Sequence, residues 1–380
     1  MQTRVNAPNR QAFSLSLEFI AIFWLIGLSL AYLPAWMQTR GLDSAQIGTI
    51  LALAFWGKIP LNLLLAHFAD RHRVQNRILF AMAAVMLLLL PQLSRAEGFA
   101  GLALVWGVCG ALLATSIPIA DSLCVIAWRD GRIDYGRTRL WGSGSFILAT
   151  LAGGWVLQRH APDALPALMS AGAALMVLAS LLLPKPALTA SGESSFALRD
   201  LLGNRDFRRF LLIAALLQSS HAMLYGFATI HWQKAGLSST TIGLLWAEGV
   251  ILEIALFATA RNFPRLLEWR RLLLIAGAGG VVRWCGFAAT TDLAALATLQ
   301  CLHGLTFACL HLGAMRFIAS HVTERRTASA QSLYDGVALG FVFGLAMAMS
   351  GEVYLHWQGR GFLLMALLSA VSMLLLVRRR

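Results

Sequence analysis

An all-α membrane protein, with twelve transmembrane helices in two six-helix repeats, is the fold class that this sequence predicts. Three observations predict it. The 380 residues are 58% hydrophobic and only 13% charged, whereas soluble globular chains carry about 25% charged residues. Apolar runs recur along the whole chain, each close to the ~20 residues that a helix needs to cross the hydrocarbon core. Lys and Arg collect in alternate loops between those runs, as they do where loops alternate between the two sides of a membrane.

The first set of spans covers 12–37, 45–68, 76–94, 98–128, 138–158 and 164–183, and the second covers 207–232, 239–260, 271–290, 293–320, 328–354 and 361–377. They are called helices 1 to 12 here. Helix 1 is too long for the core of a signal peptide and lacks a small-residue cleavage site, so it counts as a span. Residues 184–206 form the longest polar stretch and read as a linker on the cytoplasmic side. Two six-helix bundles, 1–183 and 207–380, flank it. With the N-terminus placed in the cytoplasm, 23 of the 31 Lys and Arg fall on that side and five on the other (Arg40, Arg95, Arg159, Lys234, Arg360). Lys58, Arg283 and Arg316 remain inside spans. An odd number of spans would scramble this alternation, so both termini are expected to be cytoplasmic.

The net charge of +13 does not indicate nucleic acid, because the basic residues lie in short clusters between apolar runs and form no single solvated surface. The five cysteines lie inside apolar runs without a CxxC spacing and read as small buried hydrophobes. His303 and His311 stand eight residues apart, a poor spacing for one zinc site on a helix. No nucleophile triad or phosphate-cradling loop is present either, so no metal, cofactor or enzyme chemistry is expected.

The two sets repeat. Gly41-Leu42-Asp43-Ser44-Ala45-Gln46-Ile47-Gly48 lines up with Gly236-Leu237-Ser238-Ser239-Thr240-Thr241-Ile242-Gly243 at an offset of 195 residues, both leading into the second helix of their set. Leu140-Trp141-Gly142 lies over Tyr334-Asp335-Gly336 at an offset of 194. Two parallel repeats of this size describe a transporter architecture with solute bound near mid-membrane.

Ionisable side chains at helix centres cost at least ~2.5–3.5 kcal/mol on insertion scales, so they face a cavity or a partner. Helix 7 carries His221 and, one turn on, Tyr225. Helix 8 carries Glu248 and Glu253, helix 9 Arg283, and helix 10 His303, His311 and Arg316. Counted inward at 1.5 Å per residue, Glu248, Arg283 and His303 reach a common depth of about 14–18 Å. Glu248 and Glu253 are about 140° apart on a helical wheel and do not share one narrow face. A carboxylate, a guanidinium and an imidazole at one depth are the parts that proton-coupled transport needs. In the first set, Lys58 occupies the repeat position of Glu253 and reads as half of a buried pair. Asp121 on helix 4 is placed to meet Arg139 at the start of helix 5 as a gate or structural contact. Glu18 reads as cavity-lining or interfacial. Trp36, Trp128, Trp155, Trp232 and Trp357 fall near helix ends, where interfacial belts place them. Trp246 and Trp284, beside Glu248 and Arg283, could wall a planar ligand.

Asp70-Arg71, with Arg73 and Arg77, is a degraded form of the loop signature that follows helix 2 in the major facilitator superfamily. More specific are Asp134-Tyr135-Gly136-Arg137-Thr138-Arg139-Leu140-Trp141-Gly142-Ser143, His221 with Tyr225-Gly226-Phe227, Gly280-Val281-Val282-Arg283-Trp284, and His303 through His311 to Ala314-Met315-Arg316. With these motifs the chain resembles the 3-phenylpropionic acid transporters, the phenylpropionate permease branch of that superfamily, over nearly its whole length. The resemblance implies a major facilitator fold in a bacterial inner membrane. It also implies relatedness to the lactose permease group of proton symporters, whose coupling residues lie on helices 8, 9 and 10. On that analogy Glu253, Arg283 and His303 would be the equivalent chemistry, with the proton on Glu253 and His303; Glu248, a further candidate to carry it, and Glu18 are not features of that branch and would alter substrate choice. Arg283, His221, Tyr225, Trp246, Trp284 and His311 would contact substrate. Asp121, Arg139, Lys58, Arg316, Asp70 and Arg71 would be gate or structural charges. Helix 5 has four glycines and no proline, so it lacks the Gly-Pro motif of the drug antiporters, which favours symport over efflux. The expected activity is therefore proton-coupled import of a small aromatic carboxylate by a monomer whose partners are solute, protons and lipid. The rivals are a neutral sugar or nucleoside symporter and, from another class, a membrane sensor that moves nothing.

Overall fold

The computed structural model describes residues 7–72, 74–183, 197–262 and 267–377, and every regular element among them is helical. The crossing helices of the first half are α1 (Ala7–Thr39), α2 (Ser44–His72), α3 (Gln75–Leu89, continued as a 3-10 turn to Ser94), α4 (Gly98–Arg129), α5 (Tyr135–Arg159) and α6 (Ala164–Leu182). Those of the second half are α7 (Arg205–Lys234), α8 (Ser239–Thr259), α9 (Trp269–Ala289), α10 (Leu293–His321), α11 (residues 327–357) and α12 (Phe362–Val377). All twelve expected spans are present, with ends within five residues of those read from the sequence. Eleven described stretches are long and apolar enough to cross a membrane, and the last, Thr327–Val377, contains two helices. Gln358, at φ 46°, breaks it, and a 3-10 turn over Gln358–Gly361 separates α11 from α12. Most of the expected linker, residues 184–196, lies outside the described residues, and its last part folds as a short helix, Ala197–Gly203.

The sequence repeat is also a structural one. Gly41 and Gly236 both take positive φ (83° and 91°) after the ends of α1 and α7, the left-handed position that glycine fills without a Cβ penalty. Two residues later each repeat supplies a cap. Asp43 Oδ1 accepts from the Gln46 amide at 2.8 Å, and Ser238 Oγ accepts from the Thr241 amide at 3.1 Å.

The chain divides into two compact units. The first comprises Met1–Leu42, Leu53–Ser191 and Ser238–Leu244, and the second Asp43–Ala52, Gly192–Leu237 and Leu245–Arg380. In the first, α1 packs against α4, α5 and α6 through Phe19, Ile22, Leu28 and Tyr32, all buried. Trp24 Nε1 donates to the Leu168 carbonyl at 3.1 Å and ties α1 to α6. In the second, α9 packs against α10 and α12, and α7 against α11 and α12. Phe210 stacks on Phe317 with centroids 4.0 Å apart. Large apolar side chains such as Leu63, Leu88, Leu104, Leu178, Leu367 and Leu374 are exposed on helix faces. Soluble monomers rarely show so much, and lipid covers it in a multi-pass membrane protein.

Two expectations are corrected here. Cys285 and Cys301 are exposed, while Cys109, Cys124 and Cys309 are buried. Trp36 and Trp232 are core residues, whereas Trp128, Trp155 and Trp357 are exposed. Position along an apolar run fixes height in the membrane, not which way a side chain faces.

Candidate functional site

The second unit assembles a buried polar chain from three helices. Arg283 projects from the middle of α9 and has no exposed surface. One terminal nitrogen, Nη1, lies 3.0 Å from His303 Nδ1 and donates to Thr306 Oγ1 at 3.0 Å. The other, Nη2, donates to the Gln300 side-chain oxygen. The Gln300 amide nitrogen in turn donates to the Leu245 carbonyl of α8 at 2.8 Å. The guanidinium also lies over the rings of Trp284 (4.8 Å) and Phe287 (5.5 Å). Because guanidinium only donates, His303 Nδ1 must accept, so the imidazole hydrogen sits on Nε2. That nitrogen stands 3.8 Å from Glu253 Oε2 of α8. Exposure rises along the chain, from none at Arg283 to 10% for the His303 side chain and 19% for that of Glu253.

Local backbone features permit this meeting. A π-helical turn, Gly304–Ala308, interrupts α10 directly after His303, a distortion common at functional sites. Gly304 lies against α8 so closely that a Cβ there would stand 3.0 Å from the Leu252 carbonyl oxygen, next to Glu253. Phe307 stacks on the His303 ring at 5.5 Å.

His221 sits at the break in α7 and is buried. Its Nδ1 donates to the Leu217 carbonyl at 3.1 Å, which leaves Nε2 as an acceptor. Its ring lies 5.2 Å from Trp284 and 6.2 Å from His303. Tyr225 packs between His221 (5.8 Å) and Trp246 (6.2 Å), and Trp246 Nε1 donates to Thr229 at 3.0 Å. His221 Nε2, Trp284 Nε1 and Arg283 Nε have no hydrogen-bond partner among the described residues. The structure thus brings Arg283, His303, Glu253, His221, Tyr225, Trp246 and Trp284 into one region. Other expected site residues stand apart. Glu248 is half-buried and accepts from the Cys301 thiol at 3.2 Å. His311 is exposed, edge-on to Phe257 at 6.3 Å, and Arg316 is exposed. Gln300 and Thr306 were not expected. They meet Arg283 because the π turn after His303 changes the register of α10, which the sequence does not announce.

The first unit holds two smaller polar groups. Arg139 Nε lies 3.5 Å from Asp121 Oδ1, as expected, and Tyr135 O–H donates to the same oxygen at 3.2 Å. The Arg139 guanidinium lies over Phe23 (4.1 Å) and Phe19 (5.2 Å) of α1. Glu18 is fully buried, neither cavity-lining nor interfacial, with the Ser180 hydroxyl of α6 at 3.0 and 3.2 Å from its two carboxyl oxygens. Lys58 is buried in α2. Asp70 and Arg71 fall in the last turn of α2, where their side chains lie outside the described residues.

Residues 12–366 match a family described as the MFS_1 like family. The probable 3-phenylpropionic acid transporter of Escherichia coli (strain K12) is 32% identical over 372 residues, covering 95% of this chain and 96% of that one. The maltose permease of Geobacillus stearothermophilus is 25% identical, covering 95% and 92%. In three dimensions, the crystal structure of a mutant of the nucleoside transporter NupG matches with a TM-score of 0.84 at 18% identity, over 96% of this chain and 98% of that one. At that identity the likeness concerns the fold alone.

Proposed function

Since the chain belongs to the MFS_1 like family of major facilitator membrane transporters, we propose that it is a proton symporter that imports a small aromatic carboxylate of the 3-phenylpropionate type. The observation that carries this is the chain Arg283–His303–Glu253. A permanently charged guanidinium buried without a direct carboxylate contact needs a balancing negative charge nearby, because uncompensated charge in a low-dielectric interior is costly. Glu253 supplies it through the neutral imidazole of His303. When Glu253 takes up a proton, the Arg283 charge is left unbalanced and the carboxylate of an incoming solute restores the balance. Proton and anion then move together without net charge, which is symport.

His303 is the fixed intermediary in this scheme, because its Nδ1 is occupied by Arg283 and cannot hold a second proton there. Arg283 acts through its field, since its terminal nitrogens are already bonded to His303, Thr306 and Gln300. Tyr225, Trp246 and Trp284 bound the solute ring. The bias of Lys and Arg supports a bacterial inner-membrane location with both termini in the cytoplasm. A monomer suffices, because the proposed relay lies within one chain.

The test is Glu253→Gln in proteoliposomes. Uphill accumulation of 3-phenylpropionate under an inward proton gradient is expected to fall at least ~100-fold while solute exchange at equilibrium persists. Unchanged accumulation would remove Glu253 from coupling. The relation to a maltose permease keeps a neutral-sugar reading open to the same assay. Maltose competing with labelled 3-phenylpropionate as well as aryl acids do would replace the aryl acid with a sugar.

A further inference from the structure

A cleft at one end of the second unit takes no part in the relay. It is a shallow, open cleft of about 440 Å3 between three segments: His231 near the end of α7, Phe287–Thr291 closing α9, and His356–Arg360 at the turn between α11 and α12. Small-molecule sites span about 300–1,000 Å3. Arg360 is exposed and makes no ion pair among the described residues. His356 Nε2 stands 3.8 Å from Glu352 on its own helix. The His231 ring is wedged by Tyr354 and Phe362, with centroids at 6.2 and 6.4 Å. Gly359 lies so close that a Cβ there would stand 2.5 Å from its Cε1 and Nε2.

The acceptors and charges around the cleft decide its preference. Thr290 Oγ1 accepts from the Asp292 amide at 3.0 Å, so its hydrogen is free to donate. Asp292 Oδ1 is engaged in capping α10 at the Ala295 amide. Lys234, 5.4 Å over the Tyr354 ring, adds a cation one turn beyond His231. Among the described residues no carboxylate lines the cleft, whose ionisable groups are Arg360, His356 and His231, and the one carboxylate beside them is Glu352 at 3.8 Å from His356. Exposed Trp357 and the edge of Phe287 supply apolar surface beside this polar group. Gln358, at φ 46°, holds the turn in a sparsely populated conformation of the kind that clusters at ligand sites.

We propose that this cleft is a second binding site, for the carboxylate of a small aromatic acid. Arg360 and His356 hold the carboxylate, the Thr290 hydroxyl donates to it, and the ring lies against Trp357. The choice of an aromatic acid rests on the function proposed above, while the choice of an anion rests on the cleft alone. The site lies on the membrane side away from the basic loops, where Arg and Lys are few. An anion gathered there is held at raised local concentration beside the second unit.

The experiment is equilibrium binding of 3-phenylpropionate to full-length protein in phosphatidylcholine nanodiscs, followed by calorimetry and tryptophan fluorescence. Two classes of site are expected in the unaltered protein. Arg360→Ala weakens one of them at least ~10-fold and Arg360→Lys largely restores it, while 3-phenylpropanol, which lacks the charge, does not compete at the Arg360-dependent site. A single class of site indifferent to Arg360→Ala overturns the proposal. So does a cleft held by phospholipid, read as a bound lipid in native mass spectrometry that disappears with Arg360→Ala. Transport is read separately. A protein that binds the acid through Arg360 but never accumulates it supports the cleft and sinks the symport reading. One that accumulates it without any Arg360-dependent site does the reverse.

Discussion

The two units meet the problem of charge in the membrane in opposite ways. In the second, Arg283 is sealed from solvent, its terminal nitrogens are hydrogen-bonded, and its balancing carboxylate stands one imidazole away. In the first, Arg139 and Asp121 touch directly at 3.5 Å, and each side chain keeps more than a quarter of its surface exposed. A directly paired, partly exposed couple carries its own counter-charge and needs no second partner. A sealed cation whose counter-charge is held at a distance is the arrangement that the proposed symport uses, with the proton on the carboxylate in one state and off it in the other. Under the proposed function, proton chemistry belongs to the second unit and a static contact to the first.

The largest expected effect breaks the second unit. Arg283→Ala strips Gln300, Thr306 and His303 of their shared donor and takes the buried positive charge out of the proposed relay. Uphill uptake is expected to vanish, and stability to drop by about 3–5 kcal/mol, as on breaking a buried ionic network, read as a lower thermal midpoint in detergent. Arg283→Lys keeps the charge but offers a compact ammonium in place of a planar fork. It should fold near normally and transport at least ~10-fold more slowly. Full uptake by the lysine variant would make the fork geometry irrelevant.

Next in size is Gly304→Ala, which touches no charge. The added Cβ would stand 3.0 Å from a backbone oxygen that cannot swing away, so α8 and α10 must part by a few tenths of an ångström. Overpacking of this kind costs about 1–3 kcal/mol, and the gap between Glu253 and His303 widens from 3.8 Å. The expected readout is a several-fold lower accumulation ratio with less change in exchange rate. A loss of exchange equal to the loss of accumulation would indicate general damage instead.

Smaller again is Asp121→Asn. The amide keeps the Tyr135 bond, and Arg139 remains over Phe23, a cation–π contact worth about 0.5–1 kcal/mol at such sites. Uphill uptake should stay within a few-fold of the unaltered protein. An uncoupled phenotype like that of Glu253→Gln would erase the contrast between the units.

The fold was legible because its two signals are coarse. Apolar length sets each crossing, and the Gly41 and Gly236 turns repeat as both sequence and backbone geometry. The site was legible only in part. Arg283, His303 and Glu253 stand out as ionisable groups in apolar helices. Gln300 and Thr306 do not, because neutral polar residues are cheap enough in helices to occur for many reasons. Glu248, His311 and Arg316 stand out in the sequence in the same way, yet they lie apart from that cluster. Counting residues gives depth but not azimuth, and wheel arithmetic at 100° per residue fails along α10, where the π turn after His303 shifts the register. Glu18 looked like a boundary residue from its position near one end of α1, yet α6 covers it completely.

That carboxyl gives the finest test. The Ser180 hydroxyl stands 3.0 and 3.2 Å from both Glu18 oxygens, but a hydroxyl carries one hydrogen. If Glu18 is a neutral acid, Ser180 donates to its carbonyl oxygen while the carboxyl hydrogen returns to Ser180. Gln supplies the same pair of roles, with its carbonyl accepting and its amide donating, at nearly the same volume. Glu18→Gln should therefore change stability by less than about 1 kcal/mol and leave uptake unaltered, whereas Glu18→Ala leaves Ser180 unpartnered beside a cavity and should cost about 2–4 kcal/mol. A glutamine variant as unstable as the alanine one would mean that Glu18 is ionised. The first unit would then hold a sealed charge of its own, and the division of labour between the units would fail.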